Sequence, residues 1–296
     1  MNVLVTGGAG FIGSHLVDAL ATEHDVAVLD DFSSGRRSNV HSSATVIEGN
    51  IRDERRLKKA VGTADVVFHE AASVSVDRSI EDPIGSHAVN VDGTLSLLEA
   101  ARQHDTRCVL ASSAAIYGQP ESVPIEESAP KTPESPYGVE KLSIDQYARV
   151  YNDLYDLPTV ALRYFNVYGP RQTAGDYSGV ISTFLEQARN DEPITVHGDG
   201  TQTRDFVHVS DVVQANLRAM ETDAVGEAYN VATGKTVTIT ELAHTIKSVT
   251  GSDSEIVHIE GRTGDIDRSC AKTEKARSRL GYEPTITLED GLQTLT

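Results

Sequence analysis

The stretch Asn2–Asp31, NVLVTGGAGFIGSHLVDALATEHDVAVLDD, decides the fold of this chain. It opens with an apolar run, Asn2–Val5, that is typical of a buried strand. A glycine-rich turn follows, and apolar residues then recur at helical spacing before a second apolar run, Val26–Leu29, ends at Asp30. This order of strand, glycine turn, helix, strand and acid predicts a dinucleotide-binding βαβ unit.

The glycines of the turn stand where a side chain would keep a phosphate group away. We assign the tight turn to Gly8, the close approach of a pyrophosphate to Gly10, and the close packing of helix on strand to Gly13. The helix N-terminus then presents unpaired N–H groups and a positive dipole end to the phosphates. Asp30 follows Gly13 by seventeen residues, where its carboxylate can accept both ribose hydroxyls. The same charge repels a 2′-phosphate, which favours NAD over NADP.

Charge and composition restrict the partners and the location of the chain. Its net charge is −18, with 44 acidic residues against eight Lys and eighteen Arg, which disfavours nucleic acid and membrane surfaces as partners. So few lysines favour adaptation to high salt, and a well-solvated acidic surface is the plainer alternative. No apolar run is long enough to span a bilayer, the first strand leaves no room for a signal peptide, and two cysteines imply no disulfide framework. Together these features predict a cytoplasmic protein.

Alternating strands and helices continue beyond the first unit. Further strands are predicted at Thr45–Ile47, Ala64–His69, Thr106–Leu110 and Thr159–Arg163, and an amphipathic helix over Asp82–Gln103. The predicted fold is α/β, with a doubly wound parallel (Rossmann) sheet over residues 1–165. A smaller mixed α/β substrate domain is predicted over 166–296, of which about 205–231 returns to the first domain.

Residues just past the strand ends are expected to face the dinucleotide. Asn50 is a candidate partner for the exocyclic amine of adenine, whereas the small Ala71 and Ala72 let the backbone pass beside the cofactor. His69, at the end of its strand, is interpreted as structural and not catalytic.

Ser113, Tyr137 and Lys141 form the candidate catalytic set. Ser135 and Pro136 predict the start of a helix, on which Tyr137 and Lys141 lie four residues apart and project from one face. A phenol with a pKa of ~10 is a poor base at neutral pH, and we expect the Lys141 ammonium to lower that pKa. Lys141 can also donate to the nicotinamide ribose. Ser113 lies at a strand end, where it can share a hydrogen bond with the substrate oxygen that Tyr137 deprotonates.

At these residues the chain resembles the extended short-chain dehydrogenase/reductase family over nearly its whole length. Within that family it is most similar to the nucleotide-sugar epimerases that act on UDP-glucose. The matching stretches are Thr6–Gly13, Asp30, Ser113, Tyr137 with Lys141, Arg163–Asn166, Arg204–Val209 and Gly261–Asp265. The resemblance implies NAD as cofactor, a UDP-sugar as substrate, and a homodimer joined by a four-helix bundle of the helices at Asp82–Gln103 and Tyr137–Tyr151.

The resemblance also carries a set of binding residues. For the cofactor they are Gly7, Gly10, Phe11, Ile12, Gly13, Asp30, Asp31, Asn50, Ile51, Ala71, Ala72, Asn90, Tyr137, Lys141 and Tyr164. For the substrate they are Ser113, Asn166, Arg204, Arg262, Asp265 and Ser269. Asn166 and the two arginines are implied to bind the UDP pyrophosphate, which suits two guanidinium groups and an amide. No metal ligand is predicted.

One departure from the wider family bears on the reaction. Its sugar-nucleotide dehydratases and decarboxylases carry an acid just after the catalytic Ser or Thr, whereas Ser113 is followed by Ala114 and Ala115. The resemblance therefore implies epimerisation at C4 of a UDP-hexose through a transient 4-keto sugar. A nucleotide-sugar dehydratase or reductase is one alternative, and a non-enzymatic NAD-binding sensor is another. The small Ser269, four residues after Asp265, implies room for an N-acetyl group on the sugar.

Overall fold

The computed structural model describes residues 1–172, 179–261 and 266–296. Its strands, numbered in chain order, are β1 (Asn2–Thr6), β2 (Asp25–Asp30), β3 (Thr45–Glu48), β4 (Val66–His69), β5 (Arg107–Ser113), β6 (Thr159–Tyr164), β7 (Asn166–Tyr168), β8 (Ile194–His197), β9 (Thr203–Arg204), β10 (Phe206–His208), β11 (Glu227–Val231), β12 (Val237–Thr238) and β13 (Ile256–Ile259). Its α-helices are α1 (Phe11–Leu20), α2 (Glu54–Val61), α3 (Val76–Glu81), α4 (Pro83–His87), α5 (Gly93–His104), α6 (Pro136–Tyr155), α7 (Val180–Arg189), α8 (Val209–Glu221), α9 (Ile239–Thr250), α10 (Glu274–Leu280) and α11 (Leu288–Gln293).

Seven parallel strands form the central sheet in the order β11-β6-β5-β4-β1-β2-β3. The chain moves outward from β1 to β3, returns to β4 on the other side of β1, and then continues outward to β6. The strand order therefore reverses between β1 and β4, and a ligand crevice opens at their carboxyl ends. The predicted doubly wound parallel sheet is confirmed.

Burial on both faces explains why these strands read as continuous apolar runs. Helices α1 and α8 cover one face, where Leu16 and Val212 join the core. Helices α2, α5 and α6 cover the other, where Leu57, Leu98 and Ile144 are buried. Each such side chain removed from water contributes about 1.5–3 kcal/mol to stability.

A π-helical turn at Ala88–Asp92 joins α4 to α5. The helix predicted over Asp82–Gln103 is therefore present, with an irregular turn in its middle. The turn carries Asn90, one of the residues assigned to the cofactor. Such turns are frequent at functional sites.

The second half of the chain is built from short strand pairs. β7 pairs with β10, β8 with β13 and β9 with β12. Helices α7, α9 and α11 bury a third core around Phe184, Ile194 and Leu242. β11 instead pairs with β6 in the central sheet, and α8 packs against α1. The domain boundary at residue 165 stays a prediction.

Within the described ranges no helix combines the length and the apolar character that crossing a membrane requires. The 20-residue α6 is long enough but carries charged residues on every turn of its central part.

Candidate active site

The turn between β1 and α1 packs directly against the end of β4. Gly7 has a φ of +70°, and a Cβ atom there would lie 2.6 Å from the backbone nitrogen of Ala71. The left-handed conformation of the turn therefore falls at Gly7, while Gly8 is a central residue of the turn that the Gly10 N–H closes on the Gly7 carbonyl at 3.0 Å. Gly8 has an ordinary φ, and a Cβ there would instead meet the Val28 side chain. At Gly13 a Cβ would lie 2.3 Å from the Gly7 carbonyl oxygen, because the helix starts so close to the turn.

Helix α1 begins at Phe11, with Ile12 and Gly13 in its first turn and Gly10 as the N-cap residue. In the described part of the chain no side chain caps this end. Its first N–H groups are therefore free to bind a phosphate, which the helix dipole also favours.

Asp30 ends β2 and is almost buried. Its Oδ2 accepts the Ala9 N–H at 2.9 Å and its Oδ1 accepts the Phe32 N–H at 2.8 Å. Each carboxylate oxygen keeps a second acceptor position, so the group can also accept two ribose hydroxyls. The backbone bonds orient it for that purpose.

The expected adenine edge is already hydrogen-bonded within the protein. Asn50 Nδ2 donates to Asp31 Oδ2 at 2.6 Å, and Asn50 Oδ1 accepts the backbone N–H and the Nε–H of Arg52, both at 3.0 Å. Ile51 is buried beside Gly93. In this arrangement the Asn50 oxygen binds Arg52, so it is not open to the adenine amine as the sequence suggested.

His69 lies between two threonine hydroxyls. Its Nδ1 is 2.7 Å from Thr6 Oγ1 and its Nε2 is 2.8 Å from Thr94 Oγ1. Burial lowers the pKa of the ring to about 3, with a smaller contribution from the Lys141 charge. A neutral imidazole with both nitrogens engaged has a structural role, which agrees with the interpretation of the sequence.

The structure brings Ser113, Tyr137 and Lys141 together at the carboxyl end of β5. The Ser113 side chain lies close enough to the Tyr137 hydroxyl to lower the pKa of that phenol. Lys141 Nζ is 5.8 Å from the centre of the Tyr137 ring and donates to the Ala111 carbonyl oxygen at 2.8 Å. Helix α6 holds both residues, and Ser135 Oγ caps it by accepting the Gly138 N–H at 3.1 Å.

The expected low pKa of Tyr137 is wrong for this arrangement. Burial, with smaller contributions from the charges of Glu140 and Glu70, raises the pKa of the phenol to about 12, whereas Ser113 acts in the opposite direction. Burial also lowers the pKa of Lys141 to about 8. The lysine lies beside the phenol as predicted, but the cost of burying a phenolate is the larger effect.

Two carboxylates near this set were missed. Glu140 is buried one residue before Lys141, and its Oε2 accepts from Ser86 Oγ at 2.8 Å and Asn90 Nδ2 at 2.6 Å. Glu70 follows β4 directly, and its Oε1 accepts the Tyr164 hydroxyl at 2.7 Å. The available sequence signals were a glutamate at a core-facing helix position and another just after the short buried strand β4.

Asn90 connects the catalytic helix to the loop after β4. Its Oδ1 accepts the Ser73 N–H at 2.8 Å, and its Nδ2 donates to the Ser73 carbonyl at 2.9 Å as well as to Glu140. This loop also contains Ala71 and Ala72. The carboxamide thus fixes the loop that runs beside the crevice.

On the substrate side, Asn166 opens β7 and Arg204 ends β9. Asn166 Nδ2 donates to the Asp205 carbonyl at 3.2 Å. Arg204 Nη1 donates to the Thr203 carbonyl at 2.9 Å and also to that of Ile266. The Arg204 side chain therefore lies next to the segment that begins at residue 266.

Ser269 is buried in the same region, and its N–H donates to the Thr203 carbonyl at 3.1 Å. The neighbouring Asp205 was missed from the sequence. Its buried carboxylate accepts the N–H groups of Thr233, Gly234 and Ala271 at 2.9, 2.9 and 3.1 Å, and so ties three segments together. Arg262 and Asp265, two of the expected substrate contacts, lie outside the described residues.

Comparisons with known proteins agree on the kind of enzyme. Residues 3–232 match the model of the NAD dependent epimerase/dehydratase family. The UDP-glucose 4-epimerase of Mycolicibacterium smegmatis is 39% identical over 301 residues, which cover 99% of this chain and 96% of that protein.

Two solved structures are similar over the whole chain. The UDP-glucose 4-epimerase of Thermotoga maritima, solved with UDP-glucose, has a TM-score of 0.96 at 40% identity and covers 99% of this chain and 97% of its own. The UDP-N-acetylglucosamine 4-epimerase of Methanobrevibacter ruminantium, in complex with UDP-N-acetylmuramic acid, has a TM-score of 0.96 at 37% identity, with 99% and 96% covered.

The described residues fit an NAD molecule. Gly7 and Gly13 let the turn pack against the end of β4 and let α1 start close to the turn, the α1 N-terminus is open, and the Asp30 carboxylate is oriented at the end of β2. These features and the match over residues 3–232 lead to one conclusion. The chain belongs to the NAD dependent epimerase/dehydratase family and is an NAD-dependent enzyme.

Proposed function

We propose that this enzyme epimerises a UDP-hexose at C4 through a transient 4-keto sugar. The observation that carries the proposal is that Ser113, Tyr137 and Lys141 converge at the carboxyl end of β5, beside the crevice between β1 and β4, with Tyr137 and Lys141 on one helix. Similarity to two UDP-glucose 4-epimerases along nearly the entire chain supports it. NAD, when bound, supplies a hydride acceptor and returns the hydride to the sugar.

Tyr137 is the proposed base for the sugar 4-hydroxyl. Ser113 orients that hydroxyl by sharing a hydrogen bond, and the Lys141 ammonium stabilises the phenolate that forms. With a pKa of about 12, Tyr137 needs positive charge nearby to lose its proton at neutral pH. The phenol returns the proton to the same oxygen once the sugar has turned its other face.

The positions after Ser113 support epimerisation over elimination of water. Ala114 and Ala115 lie in the short 3₁₀ turn Ala114–Tyr117, and the Ala115 N–H donates to Ser113 Oγ at 3.1 Å. A methyl group cannot serve as the general acid or base that removes water from a sugar. An intact Ser113, Tyr137 and Lys141 set likewise favours an enzyme over an NAD-binding sensor.

We further propose that UDP-glucose and UDP-N-acetylglucosamine are both substrates. Ser269 is small, buried and one residue from the bridge between Thr203 and Arg268, beside the strand that carries Arg204. Similarity to a UDP-N-acetylglucosamine 4-epimerase supports the proposal that the acetylated sugar is also a substrate. The pyrophosphate of either substrate is assigned to Asn166 and Arg204, together with Arg262.

A homodimer through α6 is proposed as well. This helix exposes Val139, Val150 and Leu154, of which Leu154 is 67% exposed, on turns that a partner helix can cover. Light scattering of the wild type and of Leu154→Asp tests it, since a buried aspartate in a dimer would favour the monomer.

Incubation of the purified protein with UDP-glucose, without added cofactor, tests the reaction. We expect UDP-galactose to form until the two sugars reach equilibrium. Loss of water from the sugar nucleotide would identify a dehydratase, and consumption of added NADH or NADPH would identify a reductase. Bound NAD without any turnover of UDP-sugars would indicate a sensor.

A further inference from the structure

Glu70 lies beside the point where Lys141 is anchored. β4 and β5 pair with His69 opposite Leu110, so Glu70 is level with Ala111 on the adjacent strand. Lys141 Nζ donates to the carbonyl oxygen of that same Ala111 at 2.8 Å. Because neighbouring strands lie only about 4.8 Å apart, the lysine and the glutamate approach each other over the end of the sheet.

The Glu70 carboxylate is held in place from the far side of β5. Its Oε1 accepts the hydroxyl of Tyr164 at 2.7 Å, and Asn216 Nδ2 donates to the Tyr164 oxygen at 2.8 Å. Tyr164 ends β6 and Asn216 lies on α8. These two hydrogen bonds hold the Glu70 carboxylate at the crevice, where the Tyr164 hydroxyl is its donor.

The titratable groups around Lys141 come from β4, α6 and β6. Glu70 follows β4, Glu140 lies on α6 itself, and the neutral His69 ends β4. Burial lowers the pKa of Lys141 to about 8, and the charges of Glu70 and then Glu140 oppose that decrease. Burial raises the pKa of Glu70 to about 7, against the Tyr164 hydrogen bond and the charge of Lys141. Tyr137 and Tyr164 complete the titratable groups here, and burial raises the pKa of both.

We propose that Glu70 is a positioning residue that keeps Lys141 charged, and that Lys141 in turn allows Tyr137 to lose its proton. Glu140 is less suited to this task, because Ser86 and Asn90 already donate to its carboxylate. Burial opposes the charge on both Glu70 and Lys141, so the charged pair is confined to a limited pH range near neutrality. The inference rests on the role proposed above for Lys141.

Glu70→Gln separates this role from a structural one. A glutamine oxygen can still accept from Tyr164, so a residue that only packs would tolerate the change. Removal of the negative charge should instead lower the pKa of Lys141. The alkaline limb of the kcat profile should then move to lower pH, while the acidic limb that Glu70 causes should disappear.

The direct measurement is the titration of the lysine side chains by NMR. The chain has eight lysines, so ¹³Cε labelling of the enzyme as purified yields few signals, and Lys141→Arg assigns the one from Lys141. We expect the Lys141 midpoint in the wild type to lie below the ordinary lysine range and to fall further, by half a pH unit or more, in Glu70→Gln. Tyr164→Phe keeps the carboxylate and should keep the Lys141 midpoint above that of Glu70→Gln.

Glu126→Gln is the matched control. It removes another carboxylate next to a lysine, since Glu126 Oε1 lies 2.6 Å from Lys272 Nζ at an exposed position. It should move the Lys272 midpoint and leave that of Lys141 unchanged. An unchanged Lys141 midpoint in Glu70→Gln, or an unchanged alkaline limb, would overturn the proposal. Turnover of UDP-glucose by the wild type reports separately on the proposed function, because the NMR titration does not depend on it.

Discussion

The cofactor side and the substrate side of the candidate site are constructed in different ways. The cofactor side consists of long, buried parallel strands whose ends carry Gly7, Asp30 and Ser113. The substrate side consists of two- and three-residue strands, on which Asn166 bonds a residue 39 positions away and Arg204 bonds one 62 positions away. The first side therefore depends on local sequence order, and the second depends on contacts such as those of Asp205 that join distant segments.

Tyr137→Phe should produce the largest effect and separate chemistry from cofactor binding. The phenyl ring keeps the shape of the site but lacks the hydroxyl that takes the substrate proton. We expect turnover to fall by about 10²–10⁴-fold, as is typical when a general base is lost. Bound NAD, measured after denaturation, should stay near the wild-type amount. Turnover within a few-fold of wild type would rule out Tyr137 as the base.

Gly7→Ala should break the cofactor side at its tightest point. A left-handed φ costs a residue with a side chain about 1–2 kcal/mol, and the clash with the Ala71 backbone adds about 1–3 kcal/mol. We expect a melting temperature well below that of the wild type and loss of bound NAD.

Gly281→Ala is the matched control for Gly7→Ala. Gly281 has a φ of +67°, and nothing lies within 4 Å of its Cβ position. Gly281→Ala should therefore lower the melting temperature only by the cost of the left-handed φ, and its content of bound NAD should be normal. Equal effects of the two substitutions would mean that the contact with β4 is unimportant.

The difference between the two sides also explains what the sequence could predict. Strands buried on both faces leave long apolar runs, and the glycine turn is read from adjacent residues, so the sheet and most of the cofactor turn were predictable. The hydrogen bond from Tyr164 to Glu70 joins residues 94 positions apart across an intervening strand, which no local pattern shows. The pKa of Tyr137 depends on how much protein surrounds its hydroxyl. The sequence therefore identified Lys141 as its neighbour but predicted a lowered pKa, whereas burial raises it.

Lys141→Met tests how much stability the cofactor side loses by burying a charge. The pKa of Lys141 is lowered to about 8, so between that value and the ordinary ~10.4 the unfolded chain binds the extra proton. Stability therefore rises with pH across this range, and at pH 7 the full cost is present.

Replacement by methionine removes that cost and also loses the hydrogen bond to Ala111. We expect the inactive variant to be more stable than the wild type at pH 7 by on the order of 1–2 kcal/mol. The advantage should shrink near pH 10. Chemical denaturation at both pH values measures it, and a variant less stable at pH 7 would contradict the assignment of a costly buried ammonium.

Ser269→Tyr sharpens the comparison on the substrate side. A tyrosine fills the space that we propose for the N-acetyl group, and overpacking costs about 1–3 kcal/mol, or roughly 5- to 150-fold in kcat/KM. Turnover of UDP-N-acetylglucosamine should fall by that factor, whereas UDP-glucose should be affected less. Ser254→Tyr, a buried serine elsewhere in the second half, controls for general damage. Equal loss for both sugars, or no activity of the wild type on the acetylated one, would contradict the proposal.

The smallest expected effect concerns the whole surface and both sides equally. A net charge of −18 destabilises the folded state through self-repulsion, which salt screens. Exposed ion pairs such as Arg37 with Glu48 weaken in salt, but each contributes only about 0–1 kcal/mol. The repulsion should dominate, so the melting temperature should rise by a few degrees between low salt and molar KCl, about 2–4 °C for each kcal/mol. Sorbitol at matched osmolality strengthens burial without screening and serves as the control. A flat or falling melting temperature in KCl would favour the plainer interpretation, a well-solvated acidic surface without adaptation to salt.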